Sequence, residues 1–472
     1  MEQIIIGVVS TRRNVFSKEE AKKFKNSILN GLKKFDIQVV DIEDINEEGL
    51  LFDERDVPKV ISKLKHHKVD GVFLPHCNFG SEALVSMVSS ALKKPVLLWG
   101  PRDDAPQADG VRTRDTQCGL FATGKVLRRF NVPYTYLTNS NLEDKSFQEG
   151  FKRFIGVCAA VKAFYGTRIL QIDTRPKDFW TMIVNEGELL EKFGIPVVPL
   201  TLPDLQWRME KILKERTPDL EETIKKIGRV DCSPIGDENE IAKIAALKCA
   251  MKEFCAELNC NAVAVQCWDA MQDMMHLMPC MSHGLLTEEG IPVTCETDIH
   301  GAITARMLSA AAKNGTIFFA DLTVRHPSND NAELLWHCGN FPMELAKDMK
   351  KATGGRHFIL PSKCAGTGEW ELKKGNITIA RFDGDHGEYK LFIGEGKATD
   401  GPATRGTYVW FEVGDWAKWE HKLVTGPYVH HCAGVYDNVA AILYEACKYI
   451  PGLSADPAQP TECEIKETWL KG

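Results

Sequence analysis

The strongest constraint on the fold is a regular alternation of strand-like and helix-like segments from the first residues onward. IIIGVV, IQVVDI, VDGVFLPH and PVLLWG are short, apolar and rich in β-branched residues. Between them lie KEEAKKFKNSILNGLKKF, DVPKVISKLKHH and SEALVSMVSSAL, which carry apolar residues at helical spacing. Strands that alternate with helices of this length build βαβ units, and these form a parallel sheet covered on both faces. The alternation restarts at RILQIDT and runs through ELLEKFGIPVVPL and NAVAVQCW to GTIFFAD. The expected architecture is therefore a first α/β domain over 1–165 and a second over 166–330. Beyond 330 the chain changes character. GNITIARFDGDHGEYKLFIGEGKATD and RGTYVWFEV read as antiparallel strands broken by Gly and Asp, with a helix near 439–449 and a Pro-punctuated tail. This predicts a β-rich, barrel-like domain over 331–472. No GxGxxG opens either α/β unit, so a dinucleotide site is not indicated.

Composition narrows the function classes. A formal net charge of −7 with interspersed signs gives no reason to expect nucleic-acid or membrane partners. No apolar run approaches the ~20 residues of a spanning helix, and the N-terminus lacks a basic region and a cleavage site. The 15 cysteines are an odd number without CxxC spacing. They read as reduced thiols of a cytoplasmic protein.

The segment GIPVTCETDIHGAIT carries the chemistry. IPVTC reads as a buried strand, and Ile299, Ile303 and Met307 mark one face of the helix that follows. Asp298 or Thr297 is placed to cap that helix, which leaves Glu296 at the strand end. The next strand, TIFFA, ends in Asp321. If the two strands are parallel neighbours, their carboxylates meet at the edge where open α/β sheets bind ligands. Paired carboxylates repel and need a shared proton or a cation. His337 in LLWHCG and His430–His431 in PYVHHCAG supply neutral imidazoles. A mixed oxygen and nitrogen set suits Mn²⁺, with Mg²⁺ or Co²⁺ as alternatives, better than structural zinc.

Taken in order, AVQCWDAMQ, GIPVTCETDIHGAIT, FFADLTVRH, LLWHCGNFP and GPYVHHCAG resemble the L-fucose isomerase and L-arabinose isomerase superfamily of ketol isomerases, with Asp321 as in the fucose branch. The resemblance implies two Rossmann-like α/β domains followed by the β-rich domain. It also implies that Glu296 and Asp321 bind the metal and move the proton. His431 is implied as the third ligand, with a shift to His430 left open, and His337 as a fourth, as in the arabinose branch. It places Arg12, Arg13, His76, Gln117, Gln266, Trp268 and His430 among substrate-binding residues, in a homotrimer or homohexamer. The implied activity is a metal-dependent aldose–ketose isomerisation of an open-chain pentose or hexose through an enediol(ate). One alternative is an anionic, sulfonated or phosphorylated hexose, for which Arg12, Arg13, Arg102, Arg112 and Arg114 offer guanidinium groups. A non-catalytic sugar-binding sensor is the other.

Overall fold

The computed structural model describes residues 3–360 and 362–471. The chain forms two compact units. One comprises Met1–Lys162, Ala441–Pro451 and Glu462–Gly472, and the other Ala163–Ala440 and Gly452–Thr461.

The first unit contains a parallel sheet of β1 (Ile5–Val8), β2 (Gln38–Val40), β3 (Gly71–Pro75), β4 (Val96–Trp99) and β5 (Thr135–Tyr136), in the order β2-β1-β3-β4-β5. Its interior is built from the β-branched and leucine residues seen in the sequence, among them Val72, Leu74, Val96 and Leu98, packed under Val60, Leu64, Val85 and Val88 of the covering helices. The order reverses between β1 and β3, so Thr11–Arg13 and His76 emerge side by side beyond their C-terminal ends. Such a crevice is the general ligand-binding position of open α/β sheets. C-terminal segments return to this unit, where Glu445 accepts the Thr135 hydroxyl at 2.8 Å and the Tyr449 hydroxyl donates to the Val96 carbonyl at 3.0 Å.

The second unit holds two sheets. β6 (Ile169–Ile172), β7 (Val197–Leu200), β8 (Ala262–Val265) and β9 (Val293–Thr294) are parallel, in the order β7-β6-β8-β9. The remaining strands are β10 (Ile317–Arg325), β11 (Ala332–His337), β12 (Thr353–Arg356), β13 (Ala365–Glu371), β14 (Asn376–Asp385), β15 (Glu388–Thr399), β16 (Thr407–Glu412), β17 (His431–Val435) and β18 (Leu453–Gln459). Six of them close into a barrel in the order β16-β11-β10-β17-β14-β15, and β15 pairs back onto β16. The β12–β13 pair extends from β16, and β18 lies beside β15.

Two expectations are corrected here. The strand that carries Asp321, the acid pair's second member, runs on to Arg325 and is not a parallel neighbour of β9. It is β10, antiparallel to both β11 and β17. The reason is local: only the short segment 326–331 separates β10 from β11, and a parallel connection needs a crossover of a dozen residues or more. The sequence read as a tail is also ordered, as β18 and the helix Glu462–Lys471. All 15 cysteines are free thiols.

Candidate metal and active site

Glu296 follows β9 in a turn that bends sharply. Glu296 and Thr297 have φ of 59° and 58°, a left-handed conformation that non-glycine residues seldom adopt in succession. Each such residue costs on the order of 1–3 kcal/mol and persists only where its surroundings enforce it. Two contacts do so: the Thr297 hydroxyl donates to the Thr174 carbonyl at 3.1 Å, and the Trp268 indole N–H donates to Glu296 Oε1 at 3.1 Å. The other carboxylate oxygen, Oε2, is left to face the barrel.

The barrel brings its own contribution. Asp321 and His431 are directly paired across β10 and β17, which places them side by side on one face of the sheet. His431 Nε2 lies 2.8 Å from Glu296 Oε2 and 3.4 Å from Asp321 Oδ1. These three atoms are buried, yet none has a hydrogen-bond partner. Buried polar atoms are normally satisfied; here His431 Nε2 and Glu296 Oε2 have only each other, as an ion pair that needs a proton on the ring, and with Asp321 Oδ1 they make a cradle that could hold a cation in the proton's place. His430 joins Glu296 and His431 in a set whose ligand atoms lie within 4.8 Å of each other. His430 is the exposed member, and Phe179, stacked edge-on to Trp268 at 5.4 Å, lies 6.4 Å from its ring.

Electrostatics agree with the geometry. Burial alone would lower the His431 pKa, but its bond to Asp298 and the closeness of Glu296 outweigh this and raise it to about 10. Burial would raise the Glu296 pKa, and the neighbouring His431 instead takes it down to about 2. This cluster demands a positive charge at its centre, whether a proton or a metal ion. The donors are oxygen and nitrogen. Burial, the largest influence on Cys338 and Cys432, pushes both thiols far up, and among the described residues the converging ligand atoms are those of Glu296, His430 and His431, without a cysteine. The residues present fit a hard or borderline divalent ion.

Behind the cradle runs a buried chain of charges that sequence reading did not anticipate. Asp298 caps the helix Ile299–Ala311 through Oδ1, which accepts the Gly301 N–H at 2.8 Å. Its Oδ2 accepts from His431 Nδ1 at 2.9 Å and pairs with Arg381. Arg381 Nε bonds Asp383 at 2.8 Å, and Asp383 holds His300 Nδ1 at 2.9 Å. A metal-binding histidine is oriented by such a carboxylate on its far nitrogen. Arg381 and Asp383 sit mid-strand in β14, where no motif distinguishes them; only the excess of charge in an otherwise apolar strand could have signalled a partner.

His337 ends β11 and is buried. Gln266 follows β8 with its Oε1 buried and unpartnered. In the first unit, Arg12 is fully engaged: it grips Glu48 at 2.6 and 3.0 Å, bonds Asn14 at 2.7 Å and stacks over Phe52. Arg13 pairs with Glu82 at 2.6 Å and lies over Phe79. His76 Nδ1 donates to the Phe79 carbonyl at 2.7 Å, and burial lowers its pKa to about 4. Gln117 is exposed in the first turn of the helix Thr116–Arg129. Arg112 and Arg114 pair with Asp115 and Asp104, while Arg102 has an exposed side chain.

Comparison with known proteins agrees with this architecture. Residues 7–165 match the family described as fucose/sulfoquinovose isomerase, N-terminal domain, and residues 335–452 match L-fucose isomerase, C-terminal domain. A sulfoquinovose isomerase of Priestia aryabhattai is 27% identical over 88% of this chain and 95% of its own length. One from Alkalicoccus urumqiensis is 28% identical over 71% of this chain and 73% of its own. A third, from Clostridium sp. (strain MSTE9), is 22% identical over 70% of this chain and 73% of its own.

Proposed function

This chain belongs to the L-fucose isomerase family and is an aldose–ketose isomerase, and on that premise we propose that it acts on a sulfonated aldohexose with a divalent cation, manganese first among the candidates. The sequence reading put neutral sugars first and anionic ones second. The relatives' names reverse that order, because the three relatives described above are all sulfoquinovose isomerases. The sensor reading drops out with family membership.

The observation that carries the chemistry is the convergence of Glu296 Oε2, Asp321 Oδ1 and His431 Nε2, buried and unpartnered. These three would hold the cation, with His430 at the exposed side. A bound divalent ion there supplies Lewis-acid polarisation of the sugar's carbonyl and acidifies the C2 hydrogen. The protein's acids divide the proton work. One carboxylate of the Glu296–Asp321 pair takes the C2 proton and returns it to C1, and the other moves the hydroxyl proton between O2 and O1. Trp268 fixes Glu296 through Oε1, so the free oxygen keeps its aim. Asp298 and Arg381 fix His431. The protein works on this reading as a homo-oligomer.

The test is a panel of open-chain-forming sugars: sulfoquinovose, glucose 6-phosphate, L-fucose and L-arabinose, each with the Mn²⁺-loaded protein and product identified by NMR. Sulfoquinovose should give its 2-ketose isomer with a kcat/KM at least about 100-fold above the neutral sugars, as loss of a charged contact's roughly 3 kcal/mol would dictate. Equal or faster turnover of L-fucose returns the protein to the neutral-sugar reading.

A further inference from the structure

His337 is not arranged as a metal ligand. Its Nδ1 accepts a hydrogen bond from the backbone N–H of Cys338 at 2.9 Å. A ring nitrogen that accepts carries the lone pair, so in the neutral imidazole the proton sits on Nε2. That Nε2 is buried and unpartnered, in a residue only 2% exposed. His431 is built the other way round. Its Nδ1 is turned to the Asp298 carboxylate at 2.9 Å, an acceptor, which frees the Nε2 lone pair for a cation. For His337 to ligate through Nε2, the Cys338 amide would have to lose its acceptor.

The His337 ring is also linked by packing to the cation-binding set. The His337 ring lies 6.2 Å from Phe319, which in turn packs edge-on to His431 at 5.1 Å. A buried N–H donor without a protein acceptor, in a ring that shares Phe319 with His431, is a group left for a bound molecule to satisfy.

We infer that His337 Nε2–H donates to an oxygen of the bound open-chain sugar beside Glu296, and serves the substrate rather than the cation. This rests on the isomerase reading above and refines it. As the C2 proton leaves, negative charge collects on the sugar oxygens, and a fixed N–H donor gains strength with that charge. A donor held by a backbone amide needs no reorganisation at that moment.

The experiment compares His337→Leu, His337→Gln and, as a control, Glu296→Gln in the full-length protein. Mn²⁺ affinity is read by titration calorimetry and turnover by sulfoquinovose kinetics. Both His337 variants should keep Mn²⁺ affinity within about threefold of wild type, while Glu296→Gln, which removes a carboxylate from the cradle, loses about 10–100-fold. His337→Leu should lose about 100-fold or more in kcat with little change in KM, the size expected for one oxyanion-type donor. His337→Gln, whose amide N–H can reach the same oxygen, should recover part of it. A drop in Mn²⁺ affinity of about 10-fold or more in both His337 variants would mark a ligand after all. Unchanged kinetics in His337→Leu defeats this inference and leaves the isomerase reading standing. A wild-type protein inactive on every sugar defeats both.

Discussion

Asp298 serves two structures with one carboxylate, since Oδ1 caps a helix and Oδ2 orients His431 while it balances Arg381. Asp298→Asn separates these duties. Asparagine caps as well as aspartate, so the helix should persist, but Arg381 loses a buried counter-charge. The expected cost is about 3–5 kcal/mol in chemical denaturation, together with a Mn²⁺ affinity lowered about 10–100-fold by calorimetry. An affinity within twofold of wild type would show that the geometry around His431 does not depend on the charge. His76 gives a pH prediction with a definite sign. Its folded pKa is lowered by burial to about 4 from 6.5, so between these values the unfolded chain binds more protons. The stabilisation is complete above pH 6.5 and is lost as pH falls toward 4, by roughly 3 kcal/mol. Hydrogen exchange of the β3 amides should accelerate over that window in wild type, and the acceleration should flatten in His76→Asn. At this scale the sequence was half legible. Glu296 stood out because an ionisable group closed an apolar strand. Asp298 looked like a cap and is one; its second role depends on Arg381, which lies 83 residues away and bears no local mark.

Elements decide how each histidine of the pair sits against the acids. β17 begins at His431, and its pairing with Asp321 fixes the register. His431 is thereby placed beside Asp321 once β10 and β17 are adjacent, while His430, just before the strand, is exposed and its ligand atom still lies within 4.8 Å of those of Glu296 and His431. That adjacency was the illegible part: the apolar run IFFA reads equally well as a parallel or an antiparallel strand, and only the short loop to β11 decides it. The β10–β17 contact is tight. A Cβ on Gly434 would lie 2.3 Å from the Phe318 ring, so Gly434→Ala should force these strands apart. We expect about 1–3 kcal/mol of destabilisation in urea melts and a fall in Mn²⁺ affinity, because the Asp321–His431 pair is one ladder of the same junction. Ordinary stability with intact Mn²⁺ binding would mean that the barrel absorbs the methyl group elsewhere.

The whole molecule places the acid–histidine cradle in one of its two compact units. A cation held by Glu296, Asp321 and His431 should therefore stabilise that unit selectively. At about 100 times its Kd, Mn²⁺ adds about 2.7 kcal/mol to a state that alone binds it. Hydrogen exchange followed by mass spectrometry should show this protection in β10 and β17 and not in β1–β4; uniform protection, or none, would contradict the assignment. The alternation of strands and helices was legible from composition and spacing because parallel βαβ units are local in sequence. The barrel-like character of the last domain was legible too, but the order in which its strands pair, with β10 recruited from before residue 330, was not, because it joins strands through long-range pairing. That same pairing shapes the birth of the protein on the ribosome. Asp298 and His431 are 133 residues apart, so at synthesis rates of about 5–20 residues per second Asp298 waits roughly 7–27 s for its partner to be made. During that interval Glu296, Asp298 and Asp321 lack the His431 imidazole that stands between them in the folded chain, and carboxylates of one sign brought together repel. The last strand of the ring to be made therefore carries the imidazole that stands among those charges in the finished fold.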